Sequence, residues 1–128
     1  MVTQITRGIK ISVLSNFEGT YFKNHKLHFA FSYEITIENH SKDSVQLTSR
    51  HWEIFDSLNE IEIVDGEGVI GKKPVLKPGE THIYSSGCLL SSPHGSMQGY
   101  FNMINFTSTK LFKVIVPTFK LNAPFALN

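Results

Sequence analysis

Leu27, Phe29, Phe31, Tyr33, Ile35 and Ile37 alternate with His28, Ala30, Ser32, Glu34, Thr36 and Glu38. Apolar residues at a spacing of two put one face of a strand in a core, and no helical period accommodates them. A strand with one apolar face needs a second layer to cover it, so this stretch alone points to packed sheets. Shorter repeats of the same kind run through Ile9, Ile11 and Val13 and through Phe112, Val114 and Val116. The second is expected to stop at Pro117, which has no N–H to give a ladder.

Residues 45–56 carry the pattern with a slip. Val45 and Leu47 are odd, whereas Trp52 and Ile54 are even. In a regular strand this would turn one apolar set to the wrong face, so a β-bulge or bend is predicted near Ser49-Arg50-His51. Turn chemistry separates the strands. Asn39–Ser44 is a polar connection, and Lys77-Pro78-Gly79-Glu80 has the proline and glycine placement of a type II turn. Ser91–Ser96 reads as a loop between a strand near 81–89 and another near 97–106. The sum is seven or eight strands with no convincing helix: an all-β, antiparallel sandwich of the immunoglobulin or fibronectin type III kind. Trp52, the single tryptophan, is expected to anchor the core between the sheets.

With 128 residues and 41% hydrophobic content, the chain fits one domain with a single core. Twelve basic and eleven acidic residues leave a formal charge of +1, too little for a dedicated nucleic-acid binder. The N-terminus has no apolar run like a signal peptide, and no stretch has the length of a membrane span, so a cytoplasmic location is expected.

Charge is unevenly placed. Glu53, Asp56, Glu60, Glu62, Asp65 and Glu67 hold six of the eleven acidic residues, with no lysine or arginine among them. From Thr81 to Thr109 there is no Asp, Glu, Lys or Arg. That neutral stretch suits central strands plus a loop, and a neutral polar-aromatic surface suits protein contact. The acidic run reads as a solvated face, since it lacks the spacing of a Ca²⁺ loop.

Residues 66–71, Gly-Glu-Gly-Val-Ile-Gly, have the G-x-G-x-x-G spacing that cradles pyrophosphate in dinucleotide-binding folds. That chemistry needs a helix opening in the motif, and Pro74 and Pro78 prevent one. A loop between strands is the expected reading. If it holds a small ligand, Gly66, Glu67, Gly68 and Gly71 would approach a phosphate or Mg²⁺, and Lys72 and Lys73 would neutralise a phosphate.

Other chemistry is sparse. The six histidines make no zinc-like cluster: His25 and His28 are expected on opposite strand faces, and only His82 and His94 are left to meet across a loop. Cys88 has no second cysteine for a disulfide, and its setting is that of a small core residue, not of a nucleophile served by His94. No catalytic residue, resident metal or cofactor is expected.

The ordered motifs Ile35–Asn39, Val45–Trp52, Gly66–Gly71, Pro74–Glu80, Tyr84–Cys88, Gly95–Gly99 and Val116–Leu121 resemble the ApaG family over nearly the whole chain. The resemblance implies a fibronectin type III-like sandwich spanning 1–128 as one ApaG domain. It also implies a bacterial protein with a genetic association with cobalt resistance and magnesium efflux, often encoded beside the diadenosine tetraphosphate hydrolase. Related domains occur in F-box proteins and in a DNA polymerase delta-interacting protein, where a protein-binding role is supposed. The family supplies no catalytic residues to carry over. Thr107–Lys110 departs from its usual acidic-Gly hairpin, and 122–128 extends past its usual end as an expected short flexible tail. The expectation is a non-enzymatic binding module for an unknown protein partner, indirectly linked to divalent-cation homeostasis. A small-ligand binder at 66–71 is the alternative, and a homodimer through a sheet edge stays open.

Overall fold

Alternation becomes strand after strand in the computed structural model, which describes residues 1–124. The strands are β1 (Val2–Thr6), β2 (Ile9–Lys23), β3 (Lys26–Asn39), β4 (Val45–Asp56), β5 (Glu62–Glu67), β6 (Val75–Leu76), β7 (Thr81–Leu90), β8 (His94–Asn105) and β9 (Leu111–Asn122). Sheet A has the order β1-β2-β3-β7 and sheet B the order β5-β4-β8-β9, with β6 also on β4. Every pairing is antiparallel, so the chain is an all-β sandwich. Nine strands among the described residues exceed the seven or eight expected. The additions are β1, too mixed in polarity to show a period, and β6, only two residues long.

The inward faces meet as predicted. Phe29, Phe31, Tyr33, Ile35 and Ile37 of β3 are buried with Ile9, Ile11 and Val13 of β2. Leu27 is the exception, exposed near the tip of the β2–β3 hairpin. From sheet B come Val45, Leu47, Trp52, Met97, Phe101, Met103, Val114, Val116, Phe119 and Leu121. Trp52 is the expected anchor: its ring makes edge contacts with Tyr33 at 5.7 Å and with Phe101 and Phe119 at 6.0 Å. Each such contact adds to the area it buries.

Two irregularities shape sheet B. In β4 the register against β8 shifts between Leu47 and Ser49, leaving Thr48 as the bulged residue. This is the predicted bulge, one residue ahead of the expected segment, and it turns Arg50, Trp52 and Ile54 inward. In β9 the register shifts between Val116 and Phe119, placing Pro117 and Thr118 opposite Gln98. The expectation that Pro117 ends this strand is therefore corrected: a bulge asks no ladder bond of proline, and the strand continues to Asn122. The expected 91–96 loop shortens to 91–93, because His94 already pairs with Asn122. Asn122 belongs to β9 and Ala123 is buried, so the tail expected from 122 does not begin there; 125–128 lie outside the described residues.

The two sides of the sandwich differ. On one, β1 and β2 lie against β9, with Ile115 N–H donating to Thr6 Oγ1 at 3.2 Å and Ser15 Oγ to the Lys120 carbonyl at 3.1 Å. On the other, β7 ends sheet A and β5 ends sheet B, and no ladder joins them. One side is closed and the other open.

Candidate functional site

The bulge at Thr48 builds the open side. By turning even-numbered residues inward, it sends the Arg50 side chain toward Gly66, its partner on β5. A β-carbon at Gly66 would sit 2.7 Å from the Arg50 guanidinium, so the absent side chain is what gives Arg50 its place. Arg50 Nη1 donates to the carbonyls of Glu67 at 3.0 Å and Gly68 at 2.9 Å. Gly68 turns the chain with φ +61°, and a β-carbon there would run into the Lys72 carbonyl.

The glycine motif is thus a strand end and a tight turn. Gly66 and Glu67 lie on β5, which corrects the expectation of a loop from Gly66 onward. Val69 and Lys72 exchange both backbone bonds around Ile70 and Gly71, whose φ values are 48° and 71°. This is a two-residue hairpin turn with both central residues left-handed. Gly68 N–H donates to the Thr48 carbonyl, and the N–H groups of Val69 and Lys72 are spent on each other's carbonyls. A phosphate cradle needs such groups free. Glu67 instead pairs with Lys73 at 3.4 Å, while Lys72 and Lys73 rim a depression shared with Thr81 and His82.

Beside this turn runs the groove between β7 and β5, about 440 Å³. Tyr33, Trp52, Val64, Cys88 and Met97 give it apolar walls, and Arg50 and Glu62 are its charged groups. Toward the β2–β3 hairpin it continues into a second depression sharing Ile54, Glu62 and Leu89, and adding Asp56 and Glu60. Asp56 is spent: it accepts from Ser91 N–H at 2.7 Å, Ser92 Oγ at 2.6 Å and Asn59 Nδ2 at 3.0 Å. Those bonds hold its carboxyl below the usual range against the opposing effect of burial. Burial pushes the Cys88 thiol up to about 11, so it is a protonated wall of the groove.

The upper rim is β7 itself. Its even residues face the interior and its odd residues face out, with Ile83 57% and Leu89 40% exposed. Alternate N–H and C=O groups of an edge strand have no partner strand. Sequence reasoning assigned 81–109 to central strands; β8 is central, but β7 is an edge. The missing charge points the other way, for edges are commonly blunted with lysine and this one carries none.

The histidines are scattered. His51 sits on the outer face of sheet B, its Nδ1 2.6 Å from Asp65 and its Nε2 3.1 Å from Glu53. Its ring stacks on Tyr100 at 4.7 Å, and Lys113 Nζ lies 4.4 Å from the Tyr100 ring centre. The Asp65 hydrogen bond is the main cause of a raised His51 pKa. His25 lies in the β2–β3 turn instead of on a strand. His82 pairs in register with Ile37, and His94 sits at the far end with its Nδ1 on Asn122 Oδ1 at 3.1 Å. No group of three or more His, Cys, Asp or Glu among the described residues is arranged to hold a metal ion. No helix among them is long and apolar enough to cross a membrane.

Comparisons with known proteins converge. The ApaG domain profile matches residues 19–105. The ApaG protein of Beijerinckia indica is 41% identical over 126 residues, 98% of this chain and 96% of its own. That of Anaeromyxobacter dehalogenans is 39% identical over 128 residues, with both chains covered in full. An X-ray structure from a structural-genomics consortium superposes with TM-score 0.85 at 32% identity, covering 91% of this chain and 88% of that one. A crystal structure of a Bordetella pertussis protein provisionally named ApaA gives 0.79 at 32% identity, covering 91% and 94%.

Proposed function

We propose that this chain, which belongs to the ApaG family, is a non-enzymatic β-sandwich module that binds a protein partner along the free edge of β7. The observation that carries the reading is the edge itself: ten residues without charge or proline, bordering an apolar groove on the open side of the sandwich. An extended segment can pair with such an edge through main-chain bonds and set its alternate side chains against the groove. The opposite side offers less, because β1 and β9 cover one another.

Chemistry at the groove favours binding over catalysis. Cys88 is a protonated thiol whose Sγ reaches only the Leu89 carbonyl, at 3.9 Å, and His94 is engaged with Asn122. Among the described residues no base is bonded to it. The link to cobalt and magnesium homeostasis that the family resemblance implies is then an indirect one, exerted through the partner in the cytoplasm.

A photo-crosslinking amino acid at Ser85 on β7, with a control at Thr3 on β1, tests this in cells. The expected result is one dominant protein adduct from position 85 and none from position 3. Equal yields from both positions, or none from 85, would contradict it.

A further inference from the structure

We infer that the segment received by β7 is basic, with a lysine or arginine directed into the groove at Glu62; this rests on the reading of β7 as the binding edge. A strand added to β7 would send every second side chain into the gap between the sheets. The walls there are Tyr33, Trp52 and Cys88, and across the gap Glu62 turns inward from β5 opposite Ile54. A long basic side chain fits both features: its aliphatic stem covers the aromatic walls and its head reaches the carboxylate.

The charges of the groove decide the sign. Arg50 is turned onto the carbonyls of Glu67 and Gly68, and Asp56 is satisfied by Ser91, Ser92 and Asn59. Among the described residues Glu60 and Glu62 have neither a side-chain hydrogen bond nor an ion pair, and the three carboxylates Asp56, Glu60 and Glu62 outnumber the two cations Arg50 and Lys23 along the groove and its extension. Lys23 lines the second depression but not the groove, which places the basic position at Glu62, the carboxylate that lines both. A second copy of this chain fits poorly. Joining two β7 strands brings one β5 toward the other, and each carries Glu62, Asp65 and Glu67. Like charges across a contact select against it, whereas a cationic segment is drawn in.

The test uses three decapeptides of alternating threonine and valine with two lysines, two glutamines or two glutamates on one face. Fluorescence of Trp52, the only tryptophan and a wall of the groove, reports binding. The lysine peptide should bind about tenfold more tightly than the glutamine peptide, and the glutamate peptide least. The pair Glu60→Gln and Glu62→Gln should erase the lysine preference and leave the glutamine peptide unchanged. Equal affinity of all three peptides would overturn the basic partner while leaving β7 as the edge. No binding by any of them would overturn both, as would a dimer seen by sedimentation that Ile83→Lys dissolves.

Discussion

Ile70 holds a left-handed backbone, φ 48°, and is 60% exposed at the tip of the β5–β6 turn. A β-branched residue pays for that conformation in steric strain, and its exposure returns no burial. Ile70→Asn, which makes the preferred Asn-Gly pair of such turns, should stabilise the protein by about 1 kcal/mol. In a thermal melt this is a rise of about 3–5 °C. Gly68 is the reverse case. Gly68→Ala adds left-handed strain and a collision with the Lys72 carbonyl, for a loss of about 3 kcal/mol in urea unfolding. Gly66→Ala should cost less, about 1–2 kcal/mol, because a flexible arginine can move away at the loss of its two carbonyl bonds. The motif's glycines were legible as a pattern, but their reason was not. Arg50 comes from another strand, and no local spacing says that its guanidinium lies over Gly66.

Elements show where the period rule holds and where chemistry overrides it. The slip in β4 was readable because a buried strand cannot change parity without an extra residue, and Thr48 is that residue. Pro117 misled because a proline inside a strand and a proline after one look alike in sequence; only the register with Gln98 separates them. The same bulge in β4 leaves His51 and Glu53 on the outer face, where His51 ties β4 to the Asp65 of edge strand β5. Asp65 raises the folded-state pKa of His51, so its stabilising contribution is full below the ordinary value near 6.5 and is lost as pH rises through the raised one. Glu53 works in the other direction. Its pKa is lowered, first by Gln98 and then by His51, so its contribution is lost as pH falls through that lowered value. Melting temperature should therefore decline from pH 6 toward pH 8.5, and His51→Gln should flatten that slope. An unchanged slope in the variant would dismiss the network as a source of pH dependence.

At the scale of the whole molecule, one asymmetry organises the account: β1 and β2 close one side against β9, while β7 and β5 leave the other open. The sandwich was legible because six alternating residues in β3 and shorter repeats elsewhere demand facing sheets. The open side was not, since which strand ends a sheet depends on pairings between distant segments, such as β3 with β7. The charge-free run from Thr81 pointed to a protein contact without saying that its first strand was an edge. The most direct measurement is amide hydrogen exchange by NMR on the protein saturated with the lysine-bearing decapeptide. Alternate amides between Thr81 and Leu90 should slow about tenfold or more while those of β1 stay as they were. Protection appearing on β1 instead, or on no β7 amide, would contradict the account.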